Sequence, residues 1–166
     1  DWSSDVCSSD LTNADATSSF LVDSSVVQEG AASGRLYYVW GTGNYIRVYN
    51  SAQTEFAAAS TLSMWVYGDA SGNELRFSIR DSDGDLFANA WTAVNWSGWR
   101  KIAWDLANDT RERWAGAGDG AITGPNVKFD SLLFRKVGAA ASGSVYFDLA
   151  EYSTAGGGSG GSGAAA

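Results

Sequence analysis

Arg76, Arg80, Asn89 and Trp91 recur at even spacings on either side of an acidic turn in "LRFSIRDSDGDLFANAW". A two-residue turn on Asp83-Gly84, a favoured type I′ pair, sets Arg80 against Phe87, Ser78 against Asn89 and Arg76 against Trp91. Ile79 then faces Ala88 and Phe77 faces Ala90, which gives the hairpin an apolar side. The four named residues share the other side. A slip of one residue would turn Asn89 inward without a partner, so this register is the expected one. The chemistry on offer is binding. Guanidinium forks donate hydrogen bonds, the Asn amide donates and accepts, and an indole presents a flat apolar plate. Such a set suits the C–H face and the hydroxyls of a pyranose.

A second candidate lies in "GRLYYVWGTGNYIRVYN", which reads as a hairpin turning on Thr42-Gly43. With Tyr37, Val39, Ile46 and Val48 on one face, Tyr38, Trp40, Tyr45, Arg47 and Tyr49 are left on the other. Trp40, Tyr45 and Arg47 are the second ligand-binding candidates. Eight Trp, seven Tyr and seven Phe exceed what one core of this size must hold. Trp99 and Trp104 show the surplus, because they occupy opposite faces of one strand and at most one can be internal.

Other chemistries are narrowed by absences. The chain has no histidine and a single cysteine, Cys7, so a Ser-His-Asp triad and the usual zinc site are excluded. Carboxylates remain. A glycoside-cleaving pair must stand about 5–5.5 Å or 6.5–9.5 Å apart. Of the five glutamates, Glu29, Glu55, Glu74, Glu112 and Glu151, four sit beside turns or strand ends, and none lies within an aromatic strand face. A carboxylate-pair enzyme is therefore the third reading, behind a binding module and a structural spacer. "DSDGDL" alternates three carboxylates, but an EF-hand loop needs Gly at its sixth position and Glu at its twelfth. Leu86 and Thr92 stand there, so an acidic hairpin turn is expected. "GDASGN" lacks the spacing and following helix of a phosphate loop and reads as a strand connection. A net charge of −8 argues against a nucleic-acid partner. No apolar run approaches the ~18 residues of a membrane span.

The elements that must position these residues are strands. Nine segments rich in Val, Ile, Tyr, Phe and Trp are each bounded by Gly, Asn, Asp or Ser: "FLVDSSVV", "GRLYYVW", "YIRVYN", "TLSMWVYG", "ELRFSIR", "DLFANAW", "WRKIAWDL", "FDSLLFRKV" and "SVYFDLAEY". That spacing predicts an all-β, two-sheet antiparallel β-sandwich. A short helical turn is expected near "DTRERWAG". The first eleven residues, "DWSSDVCSSDL", have no apolar period and resemble a translated sequencing-library adapter. Without them three of nineteen acids go, leaving sixteen against eleven bases and a net charge of −5. The last twelve, 155–166, read as a Gly/Ser/Ala linker or tag, so the expected β-sandwich module is 12–154.

"LSMWVYGDASGNELRFSIRDSDGDLFANAWTAVNWSGWRKIAWDL" and "VYFDLAEY" resemble a galactose-binding-like jelly roll, the form of accessory carbohydrate-binding modules of secreted glycoside-active enzymes. The likeness rests on the "WVYGD" strand, "W-x-GW" and "YFD". It implies a non-catalytic module that binds polysaccharide or oligosaccharide, beside a catalytic domain of the same chain, in the extracellular space. It also implies a structural Ca²⁺, with Asp148 of "YFD" as the last-strand ligand and Glu29 of "QEG" as its companion.

Overall fold

The computed structural model describes residues 11–12, 17–41 and 43–154. The adapter-like residues 1–10, Thr42 and the linker 155–166 lie outside the described residues. Thirteen strands follow one another: β1 (Leu11–Thr12), β2 (Ser19–Asp23), β3 (Ser33–Val39), β4 (Tyr45–Tyr49), β5 (Glu55–Ala57), β6 (Ser60–Asp69) and β7 (Glu74–Arg80), then β8 (Leu86–Asn89), β9 (Thr92–Ala93), β10 (Ser97–Asp105), β11 (Arg111–Ala115), β12 (Asn126–Arg135) and β13 (Ser142–Thr154). An eight-stranded sheet runs β1-β4-β12-β7-β8-β11, with β5 beside β12 and β9 beside β7. A five-stranded sheet runs β10-β6-β13-β3-β2, and every pairing in both sheets is antiparallel. The all-β, two-sheet sandwich is present, and each of the nine expected segments contains a strand.

Period-2 alternation sends one side of every long strand into the space between the sheets. Ile46, Val48, Leu75, Phe77, Ile79, Leu132 and Phe134 enter it from the larger sheet. Leu36, Tyr38, Leu62, Met64, Val66, Trp104, Val145 and Phe147 enter from the smaller. Trp104 is fully buried, whereas Trp99 stands on the outer face against Tyr67.

Three expectations are corrected. The "GRLYYVWGTGNYIRVYN" segment is no hairpin: β3 pairs with β2 and β13, while β4 pairs with β1 and β12 in the other sheet. The chain crosses between layers there, and the parity of β3 is the reverse of that expected. Tyr38 and Trp40 point inward because they fill the gap against Phe134, at 4.9 and 5.6 Å between ring centres. Burying Tyr38 is tolerable because its hydroxyl donates to Asp69 and accepts from Asn73.

The second hairpin exists but is shifted by one residue, pairing Arg80 with Leu86, Ile79 with Phe87 and Ser78 with Ala88. Its loop holds three residues, Ser82 to Gly84, closed by the Asp81 N–H to Asp85 carbonyl bond at 3.0 Å. Gly84 takes φ +90°, as three-residue hairpin loops require of one residue. The slip buries Asn89, yet leaves it paired, because its Oδ1 accepts the Phe77 N–H at 2.8 Å. The cost of an unpaired buried amide, which would oppose this register, is therefore not incurred. Finally, "DTRERWAG" supplies a strand, β11, whose Arg111, Glu112 and Arg113 pair with Asn89, Ala88 and Phe87 of β8.

Candidate functional site

The outer face of the larger sheet gathers most of the expected ligand residues. β4, β12, β7, β8 and β11 lie side by side, about 19 Å across at ~4.8 Å per strand. Tyr45, Arg47 and Tyr49 project from β4 by alternation with the buried Ile46 and Val48. Arg76 and Arg80 project from β7 in the same way, opposite Leu133 and Lys128 of β12.

Two bulges add what regular pairing would not place there. In β12, Phe129 sits opposite Ile79 and Ser131 opposite Ser78, leaving Asp130 as the extra residue. Asp130 is fully buried, and four side chains converge on its carboxylate. Arg47 donates to Oδ2, Ser131 Oγ to the same oxygen at 2.9 Å, and Arg80 and Gln53 to Oδ1 at 3.4 Å each. In β11, Arg113 pairs with Phe87 and Ala115 with Leu86, with Trp114 between them. The Trp114 indole N–H donates to Ser78 Oγ at 2.8 Å, and Arg47 Cζ lies 5.1 Å from the ring centre. Both bulges therefore deliver a polar or aromatic side chain to one patch.

Trp91 anchors the other end. Its ring receives the guanidiniums of Arg76 and Arg135, with Cζ at 4.3 and 4.1 Å from the centroid, and Tyr45 meets it edge-on at 6.4 Å. Arg135 is fixed by two bonds to Glu74 Oε1, from Nε at 2.7 Å and Nη2 at 2.6 Å. Arg76 is different. Its side chain is only 8% exposed, its ionic partner is the exposed Glu112 at 3.5 Å, and its Nε is buried with no hydrogen-bond partner. Burial holds its guanidinium below the ordinary arginine value, a push that the nearby Glu112 and Tyr45 oppose. Burial also raises the Tyr45 hydroxyl, against the attraction of Arg76 and Arg47. A cleft of about 380 Å³ opens beside Arg80, between Glu55, Lys128 and the Ser82–Gly84 turn.

Trp91, Arg80, Tyr45 and Arg47 thus come from both expected sets to one surface, with Arg76 on the same side of the sheet but buried, at 6% exposure. Trp40 and Asn89 do not: both are buried, at 7% and 8% exposure, one stacked on Phe134 and the other bonded to the β7 backbone. Trp114, Arg135, Asp130 and Glu112 join the surface without having been expected. The surplus of tryptophan did not single out Trp114, whose placement depends on a bulge that no residue pattern announced.

Asp148 and Glu29 meet through the backbone. The fully buried Asp148 accepts the N–H groups of Gln28 at 3.0 Å and Glu29 at 3.3 Å on Oδ2, and of Leu149 at 2.9 Å on Oδ1. The Glu29 side chain is exposed. Both Asp148 oxygens thus already accept backbone N–H groups. A different group could hold a metal ion. Asp81, Asp83, Asp85 and Asp119 each bring a carboxylate oxygen within 4.8 Å of the others, Asp81 and Asp85 buried and the other two exposed. All their ligand atoms are oxygen, which suits a hard cation. Burial would raise the Asp85 carboxyl, but N–H bonds from Gly120 and Gly118 and the Arg113 guanidinium hold it below the ordinary value.

No protein-family model matches the chain, and no curated relative matches it. Solved structures do resemble it. One reports carbohydrate-binding modules of the β-sandwich superfamily with promiscuous specificity; it superposes with a TM-score of 0.56 at 12% identity, over 87% of this chain and 55% of that one. This chain therefore spans about half of that structure's length. Another is a family 11 carbohydrate-binding module from Clostridium thermocellum bound to a β-1,3-1,4-mixed-linked tetrasaccharide, with a TM-score of 0.55 at 16% identity over 87% of this chain and 88% of that one. At these identities the likeness is one of fold, a two-sheet antiparallel β-sandwich that this chain shares with those modules.

Proposed function

We propose that this sandwich is a non-catalytic module that binds a polysaccharide or oligosaccharide along the outer face of its larger sheet. The observation that carries the reading is the pair of partly exposed indoles, Trp91 and Trp114, each held in place by contacts to arginine or Ser78. A fixed ring loses little entropy when a sugar stacks on it. Around the rings, Arg47, Arg80 and Arg135 supply directional donors and Tyr45 and Tyr49 supply further ring surface. Two solved structures of the same architecture are reported as carbohydrate-binding modules, which supports this choice of ligand class. Catalysis is disfavoured by the carboxylates themselves. A glycoside-cleaving pair needs one acid kept protonated, whereas Asp130, Glu74 and Glu112 each face a guanidinium.

The test is binding of the whole chain to a panel of immobilised polysaccharides, repeated with Trp91→Ala and Trp114→Ala. Each substitution should weaken binding about tenfold while the fold persists. A chain that binds no glycan, or variants that bind as well as the parent, would overturn the reading. The spacer alternative has one observation in its favour, the aromatic row on the opposite sheet described below, and predicts no glycan binding at all.

The remaining features follow the same reading. The module is 12–154, carried beside a catalytic domain of a secreted protein. A Ca²⁺ ion would be held by Asp81, Asp83, Asp85 and Asp119, whose carboxylate oxygens lie within 4.8 Å of one another, with Asp148 and Glu29 as the second candidate site.

A further inference from the structure

We infer that the glycan taken by this face is anionic, a polysaccharide bearing carboxylate or sulfate groups that are met by Arg135, Arg80 and Arg47. The inference rests on the glycan-binding reading and names its ligand more closely. It starts from charge. The chain carries −8, yet four of its eight arginines, Arg47, Arg76, Arg80 and Arg135, share this one face. Three carboxylates, Asp130, Glu74 and Glu112, oppose them. With Lys128 opposite both Arg80 and Glu55, the cations of this face still exceed its carboxylates by one, on an acidic protein.

The balance of donors and acceptors points the same way. Asp130 is a poor acceptor for a ligand, because two guanidiniums, Ser131 and Gln53 already converge on it and it is fully buried. Each arginine, by contrast, has five N–H donors. Arg80 directs one hydrogen bond to Asp130, and its side chain is 38% exposed. Arg135 turns one edge to Glu74 and is 41% exposed. A surface rich in donors and short of acceptors matches a ligand rich in acceptors. Neutral sugar hydroxyls need both partners, whereas a carboxylate or sulfate ester needs donors alone.

Arg76 supplies an independent observation. A buried charge is normally compensated, and leaving one incompletely paired is costly. Arg76 lies 8% exposed beside Trp91, with an unpartnered Nε and one solvent-facing carboxylate at 3.5 Å. An anion bound at Arg135, which shares the Trp91 ring with Arg76, would add to that compensation. Arg76 thus acts through the field it sends to the surface, and Arg135 and Arg80 make the contacts.

The experiment compares charged polymers with neutral twins of the same backbone. Polygalacturonate is set against fully methyl-esterified pectin, and dextran sulfate against dextran, with mixed-linked β-glucan and unsubstituted xylan as neutral references. At low salt, at least one charged polymer should bind about tenfold or more tighter than its twin, and which pair responds separates carboxylate from sulfate. Raising the salt from about 20 mM to about 500 mM should remove most of that advantage, while neutral binding hardly moves. Arg135→Gln should cost the charged polymer several-fold. Glu112→Gln, at an exposed position, should instead tighten it. Equal binding of twins, or binding to neutral glucan or xylan alone, overturns the anionic assignment and leaves the glycan-binding reading standing. Binding to none of the six polymers overturns both.

Discussion

On the five-stranded sheet, Arg35, Tyr146, Tyr67 and Trp99 lie opposite one another across β3, β13, β6 and β10, forming one unbroken row. The rings meet edge to face, Tyr67 with Tyr146 at 5.7 Å and 87° and with Trp99 at 5.3 Å and 76°. The ion pair of this face, Lys101 with Glu151 at 3.3 Å, is open to solvent. On the eight-stranded sheet the aromatics do not meet in a row. Trp91 and Trp114 rest on arginines, and those arginines converge on a buried aspartate or on glutamates at the rim. Both faces are rich in aromatic side chains. The difference is one of degree: on the smaller sheet Arg35 lies 5.5 and 6.0 Å from the Tyr37 and Tyr146 rings, and Tyr146 otherwise meets Tyr67, whereas Trp91 has two guanidiniums within 4.3 Å of its centre. Counting aromatics alone therefore does not tell the two faces apart, whereas the closeness of guanidiniums to the rings does.

The largest expected effect breaks or keeps that asymmetry directly. Asp130→Asn removes the charge on which Arg47 and Arg80 converge and should destabilise the fold by about 3 kcal/mol, the low end for a broken buried pair since both arginines keep partial solvent access. For a domain of this size that is roughly 6–12 °C in melting temperature. Glu151→Gln on the opposite face should cost less than about 1 kcal/mol, as exposed pairs do. Equal melting curves for the two variants would mean that the faces are not built differently.

Asp148→Ala comes next, at about 2 kcal/mol, because the N–H groups of Gln28, Glu29 and Leu149 lose their acceptor. The loss should be the same with calcium or with chelator. A loss seen only when calcium is present would return the cation to Asp148. Below it in size stands ligand binding. Trp91→Ala should weaken glycan affinity about tenfold, or 1.4 kcal/mol, and Trp99→Ala should leave it unchanged. The reverse outcome would move the site to the row on the smaller sheet.

Much of this was legible in the sequence, for reasons that can be named. The strands were readable because alternation such as Tyr45-Ile46-Arg47-Val48-Tyr49 encodes both element and orientation, and the structure keeps it. Trp99 and Trp104 were separated by the same parity. Sheet membership was not readable, since "GTGN" serves equally for a hairpin or for a crossing between layers, and only the fit of Tyr38 and Trp40 against Phe134 decides. The shift at Asn89 was hidden because a side-chain oxygen can replace a ladder acceptor, here for Phe77. Bulges at Asp130 and Trp114 escaped for a related reason: an extra residue leaves the composition of a strand intact and changes only where one side chain points.

The smallest expected effect concerns the aspartates that follow Arg80, at the edge of the charged face. Asp81 and Asp85 are buried, yet their oxygens are met by N–H groups of Asp85, Thr123, Gly118 and Gly120. The loop is therefore built without a cation, and calcium adds to it instead of creating it. Asp83 and Asp119 are the exposed members, and a divalent ion between them would also relieve their mutual repulsion. Calcium at a concentration equal to its Kd would stabilise the fold by about 0.4 kcal/mol, roughly 1 °C. The rise should saturate with calcium, fail with sodium at matched ionic strength, and vanish in Asp119→Asn, which should cost little stability in chelator. The pH dependence has a defined sign. The Asp85 carboxyl is held below its ordinary 3.8 in the fold, so its contribution is present above that value and is lost as pH falls through the lower folded one. Added calcium should move this acid limb further down, because a cation favours the ionised carboxylates. A melting temperature and an acid limb that both ignore calcium would leave the four aspartates as a hydrogen-bonded turn, and the contrast between the two faces would then rest on arginine alone.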